Sequence, residues 1–237
     1  MTNVSPSPVA VVELLGPSGS GKTTLLDHFF SQAYRLPSGS SQILSRAVLE
    51  KTVKLKSAAT SAIMDDADVQ GWLDFVFLLL ARAPGSLSRR LKALDFCRRA
   101  LVERELLSRS DLQGQMLLHD ELLLHRAFSI LPFSRSLLRD AELFFQHVPL
   151  PQKAIICFAQ PQTIATRISG RKNTPNCYKG LSSKELDRLL VELVEACFIA
   201  QDVLTSRGLP CTLLSLDEAI ETNCARLVQI CGEEQGL

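Results

Sequence analysis

The chain has 237 residues, enough for one large domain with a substantial core, and a second independent domain is not expected. Its 26 Lys plus Arg against 25 Asp plus Glu leave a formal net charge of +1, so no global field recruits nucleic acid or an acidic membrane surface. The seven cysteines form no Cys-x-x-Cys pair and most lie in apolar stretches, which argues against a zinc site or disulfide framework and for reduced core thiols in a cytoplasmic protein.

Residues 1–8, MTNVSPSP, lack the basic start and apolar core of a signal peptide and read as a frayed, disordered tail before a domain over 9–237. Apolar runs such as Phe75–Ala81 are too short to span a membrane. Val9–Leu15 (VAVVELL) is rich in β-branched residues and ends at glycine, the pattern of a strand buried on both faces of a parallel sheet, although Glu13 is an odd residue for it. From Lys22, residues Leu25, Leu26, Phe29, Phe30 and Ala33 recur at helical spacing until Pro37-Ser38-Gly39 breaks the pattern.

Gln42–Leu49 reads as a second strand. From about Ser57 to Ser110 the leucines and phenylalanines recur at three- and four-residue intervals, which predicts two or three helices with a break at Pro84-Gly85. Gln115–Glu121 (QMLLHDE) is an apolar strand ending in two acids. Ala154–Phe158 (AIICF) and Cys211–Leu216 (CTLLSL) predict two further strands. Between them Leu186, Leu189, Leu190, Leu193, Cys197, Ala200 and Leu204 form one helical face, opened by a capping box at Ser182-x-x-Glu185; Ser215-x-x-Glu218 reads as a second box before the last helix. Strands alternating with helices at this spacing imply right-handed crossovers and a parallel sheet covered on both faces.

Gly16-Pro17-Ser18-Gly19-Ser20-Gly21-Lys22-Thr23 fits Gly-x-x-x-x-Gly-Lys-[Ser/Thr] at every fixed position, between a strand and a helix. Such a loop, here Gly16 to Thr24, gathers backbone N–H groups at a helix N-terminus and so makes a nest for polyphosphate. Lys22 would reach the β- and γ-phosphates and the Thr23 hydroxyl would bind the bridging Mg2+. A triphosphate held there needs an acid at a neighbouring strand end for the metal, and Asp120 is the best candidate; Glu121 could take a proton from an attacking hydroxyl or water. The alternative for this pair is an N-cap and first-turn acid of the next helix.

Arg167, Arg171 and Lys172 lie in TRISGRKNTPNCYKG, where a helix gives way to a loop able to close over a triphosphate; the alternative is a solvated basic helix end. The remaining arginines, among them Arg82, Arg135 and Arg139, read mostly as solvated faces, with Arg126 the one placed to touch an acceptor. His119, His125, Asp74 and Trp72 show no ligand spacing.

Together these residues resemble the P-loop nucleoside and nucleotide kinase superfamily, particularly its thymidylate kinase and deoxynucleoside kinase branch. GPSGSGKT, LLHDE and AIICFAQPQTIATRISGRK carry the resemblance, which covers residues 9–35 and 115–230. It implies an α/β three-layer sandwich of about five parallel strands flanked by helices, with a helical insertion before the acidic (Walker B) strand. It also implies ATP and Mg2+ as cofactors, an acceptor region over about 50–112, and a lid over about 165–181 built around Arg167 and Arg171. In such kinases an arginine at the start of the lid packs on adenine, a role that would fall to Arg167. Where they carry Asp-Arg or Glu-Arg, this chain has Asp120-Glu121.

The expected activity is transfer of the γ-phosphoryl of Mg-ATP to a hydroxyl or phosphate of a small molecule, nucleoside-like or another metabolite. A hydrolytic or regulatory P-loop ATPase stays open, because Asp-Glu at a strand end also positions water, and so does a nucleotide-sensing interaction module. ELLSRSDLQGQ does not provide the signature of an ABC-type transporter subunit, and no Asn-Lys-x-Asp tetrad suits a GTPase. The expected partner is a small-molecule acceptor, with no nucleic acid and no membrane; no segment fixes the oligomeric state, and a homodimer stays open.

Overall fold

The structure, a computed structural model, describes residues 10–32, 43–45, 67–84, 86–108 and 115–232. The chain builds β1 (Ala10–Leu15), α1 (Lys22–Ser31), β2 (Ile43–Ser45), α2 (Ala67–Arg82), α3 (Leu87–Ser108) and β3 (Met116–His119). A 3-10 turn (Leu124–Arg126), α4 (Ala127–Ile130) and a second 3-10 turn (Leu131–Phe133) lead to α5 (Leu137–His147) and β4 (Lys153–Phe158). Then come α6 (Pro161–Ser169), a 3-10 turn (Asn176–Tyr178), α7 (Ser183–Ser206), β5 (Cys211–Ser215) and α8 (Ile220–Gly232).

The five strands form one parallel sheet in the order β2-β3-β1-β4-β5. β1 is central, with Glu13 paired to His119 of β3 on one side and to Ala154 of β4 on the other. The chain leaves β1 towards β2 at one edge and later crosses to β4 on the opposite side. That reversal opens a crevice at the carboxyl ends of the strands, where ligands of open α/β sheets bind.

Successive side chains of a strand alternate between faces, so β1 feeds two cores. Val12 and Leu14 pack with Leu25, Phe29, Leu214 and Leu227 under α1 and α8. Leu15 packs with Trp72, Phe128, Phe144, Leu193 and Cys197 under α2, α5 and α7. In that second layer the ring of Phe144 meets Trp72 edge-on at 5.8 Å and Phe145 at 5.3 Å. Each such buried aromatic or leucine side chain contributes about 1.5–3 kcal/mol. Five of the seven cysteines are buried, as their apolar context predicts.

Several sequence expectations change in detail. Of the second strand, Ile43–Ser45 is described, and the rest of Gln42–Leu49 lies outside the described residues, as do the tail 1–8 and residues 50–66 and 109–112 of the helical region. The described part of that region is two helices, α2 and α3, on either side of Pro84. The box at Ser182 forms: its Oγ accepts the Glu185 N–H, and the Glu185 carboxylate accepts the Ser182 N–H at 2.8 Å. The second box does not. Ser215 is the last residue of β5 and α8 starts only at Ile220, so Glu218 lies before the helix, where its carboxylate pairs with Arg226 at 2.8 Å.

Candidate functional site

The loop leaving β1 folds as its glycines require. Gly16 has φ +139°, and a Cβ there would stand 1.9 Å from the Cys157 carbonyl oxygen of β4, so only glycine fits between the two strands. Gly21, at φ +114°, is the N-cap of α1. Lys22 is buried at 6% exposure, and its Nζ donates to the carbonyls of Gly16 (2.8 Å) and Pro17 (3.0 Å) and to Ser20 Oγ (3.3 Å). Burial holds its pKa below the usual lysine value, and the charge of Asp120 is among the groups that oppose the shift.

Thr23 and Asp120 meet although they are 97 residues apart: Thr23 Oγ1 donates to Asp120 Oδ2 at 3.1 Å. The parallel pairing of β1 with β3 brings this about, by ending both strands at the same edge of the sheet. A hydroxyl and a carboxylate beside this glycine loop are hard oxygen donors, the kind Mg2+ takes while keeping most of its waters. These two residues therefore fit that ion.

Glu121 turns the other way. Its carboxylate lies 3.7 Å from the Arg126 guanidinium, its carbonyl accepts from Arg126, and its N–H donates to His119 Nδ1 at 3.1 Å. Arg126 is 5% exposed and packs over the Phe96 ring of α3 at 5.6 Å. Since Nδ1 of His119 accepts, the proton of the neutral ring sits on Nε2, which faces the Glu103 carboxylate at 3.6 Å.

Arg167 reaches from α6 to the loop. Its two terminal nitrogens donate to the carbonyls of Ser20 and of Leu216, the latter at 2.8 Å, so the guanidinium plane is clamped beside Gly21. It borders a cleft of 410 Å³ that is also lined by Thr24, Arg171, Leu216, Ile220 and Asn223. Arg171 is exposed on the rim. In the 3-10 turn after α6 Tyr178, 2% exposed, donates its hydroxyl to the Ser18 carbonyl at 3.2 Å, and Arg89 of α3 donates to the Lys179 carbonyl.

The structure thus sets Gly19, Gly21, Thr24, Arg167 and Arg171 around one cleft and brings Asp120 to Thr23 of the adjoining loop, while Glu121 sits against Arg126. Three residues that sequence reasoning did not assign also belong to this region. Glu13, 1% exposed, accepts the His125 N–H at 2.8 Å, and burial raises its pKa to about 8 against the opposing pull of the His125 and Leu124 N–H groups and Arg126. Its signal was the acid inside an apolar strand. Asn223 donates to the Glu218 carbonyl at 3.1 Å, and its buried Oδ1 has no partner among the described residues. Tyr178 left no signal, because only the folded chain brings it to Ser18.

The parallel sheet of this strand order, flanked by helices and carrying a glycine loop after its central strand, is an α/β fold shared with solved kinase structures. The thymidylate kinase from Candida albicans superposes with a TM-score of 0.50 at 13% identity, over 96% of this chain and 93% of that one, and the fold assignment rests on it. More distant are the deoxyadenosine kinase from M. mycoides solved with bound dATP (TM-score 0.43, 11% identity, 93% of this chain and 97% of that one) and the thymidylate kinase from Ehrlichia chaffeensis (0.37, 11%, 94% and 98%). No family model and no curated protein matches the sequence. Among the described residues no helix is long and apolar enough to cross a membrane.

Proposed function

We propose that this chain is an ATP-dependent phosphotransferase that moves the γ-phosphoryl of Mg-ATP to a hydroxyl or phosphate of a small molecule in the cytoplasm. The observation that carries the reading is the contact of Thr23 Oγ1 with Asp120 Oδ2 beside the phosphate-type loop. In this reading the amides of Gly16 to Thr24 and the Lys22 ammonium hold the β- and γ-phosphates, and the loose transition state is stabilised mainly by positioning and charge. Thr23 and Asp120 hold Mg2+, which when bound neutralises charge on the phosphate oxygens.

The clamped plane of Arg167 suits a nucleobase face more than a phosphate, because both its terminal nitrogens are already used by backbone carbonyls. Arg171, exposed on the same rim, is the guanidinium left to meet the transferring phosphoryl group. The pairing of Glu121 with Arg126 supports a role on the acceptor side for that pair, with Glu121 as proton acceptor.

The test is ADP release measured with a panel of nucleosides, nucleotides, sugars and other hydroxyl metabolites. Turnover should rise strongly with one acceptor and stay slow without any. Rapid hydrolysis indifferent to every acceptor would replace this reading with that of an ATPase. In Lys22→Ala the fold should persist by circular dichroism while turnover falls by about 10²–10³-fold, as when one preorganised donor is lost.

A further inference from the structure

A second cleft, of 360 Å³, lies between α2 and α5 and shares no lining residue with the cleft beside the phosphate-type loop. Part of its wall is apolar, formed by Phe75 and Leu79 of α2 with Phe133 and Leu143. The rest carries three guanidinium groups. Arg82 ends α2, Arg135 precedes α5, and Arg139 stands in the first turn of α5.

Other arginines of the chain have carboxylate partners, as Arg98 and Arg99 do in Asp95, Arg188 in Glu192 and Arg226 in Glu218. Among the described residues the guanidinium groups of Arg82, Arg135 and Arg139 have neither a hydrogen bond nor an ion pair. One carboxylate lines the cleft, that of Asp140, and it accepts from Ser134 Oγ. Three positive charges against one negative leave the lining at +2.

Two of these cations stand at the N-terminus of α5, the helix end that disfavours them. Ser136, the N-cap, makes no side-chain capping bond, and Ser134 Oγ is already engaged by the Ser136 N–H and by Asp140. An anion in the cleft would offset all of this charge at once. A phosphomonoester near neutral pH carries about −2 and three acceptor oxygens, which matches three guanidinium forks better than a carboxylate does. A bare anion would leave the apolar wall uncovered, and the volume falls within the ~300–1,000 Å³ range of small-molecule sites.

We propose that this cleft binds a small phosphomonoester with an apolar body, its phosphate on Arg82, Arg135 and Arg139 and its body on Phe75, Leu79 and Phe133. The proposal does not depend on the function assigned to the phosphate-type loop.

Isothermal titration calorimetry of the full chain with 1-naphthyl phosphate tests it, with 1-naphthol and inorganic phosphate as the separate halves of the probe. The whole probe should bind one-to-one, and each half at least about tenfold more weakly. Arg82→Gln with Arg139→Gln removes two charge-assisted contacts from exposed positions, and affinity should fall by about 100-fold while the thermal melt stays unchanged. Lys22→Ala should keep the affinity within about twofold, since the loop lies outside this site. The proposal is overturned by absence of heat in the unmodified chain, by undiminished affinity in the double variant, or by loss of binding in Lys22→Ala, which would put the probe in the loop.

Discussion

An acid inside a central parallel strand has no water to ionise against, and Glu13 is held in that position. Burial raises its pKa from 4.5 to about 8, even though two backbone N–H groups and Arg126 favour the charged form. The folded chain therefore holds a proton on Glu13 that the unfolded chain has already released between about pH 4.5 and about pH 8. More protons bound in the folded state mean that stability falls as pH rises through this window, by up to about 1.4 kcal/mol per pH unit. Urea unfolding at several pH values across the window should show this slope, and Glu13→Gln, a neutral isostere that can still accept the His125 N–H, should remove it. An equal slope in both proteins would mean that Glu13 titrates as it does in water. The residue also ties the turn carrying Arg126 to β1, so one buried carboxyl links the sheet to the Glu121–Arg126 pair.

At the scale of elements, the most readable pieces were those whose cause is local. The β1–loop–α1 unit was legible because glycine, lysine and threonine stand at fixed positions between an apolar run and a helical repeat. The start of α7 was legible because both halves of its capping box lie within four residues. Ser182→Ala deletes that cap, and the melting temperature should drop by about 2–4 °C; no change would mean that packing along the helix face alone fixes its start. Ser215-x-x-Glu218 has the same spacing and does not form a box, because β4 draws Ser215 into the sheet, pairing it with Phe158. A four-residue pattern specifies the hydrogen bonds a helix end can make but not where the helix begins, and here the sheet decided that.

At the scale of the whole molecule, the helical layer is held by aromatic rings from elements far apart in sequence. Phe144 of α5 meets Trp72 and Phe75 of α2 as well as Phe145. Phe144→Ala should cost about 3–5 kcal/mol in chemical unfolding and change the emission of Trp72, the single tryptophan of the chain. A cost near zero would show that α2 is held elsewhere.

The sequence by itself determined the fold class, the phosphate-type loop, the strand that leads into Asp120 and the helix bearing Arg167, because periodicity, capping and motif spacing act over a few residues. It did not disclose that Thr23 touches Asp120, that Glu121 faces Arg126, that Tyr178 reaches Ser18, or that Arg82, Arg135 and Arg139 share one cleft. Strand order and helix packing set those meetings. A side chain's partner across the fold depends on where the parallel crossovers return the chain, and local pattern carries no information about that distance.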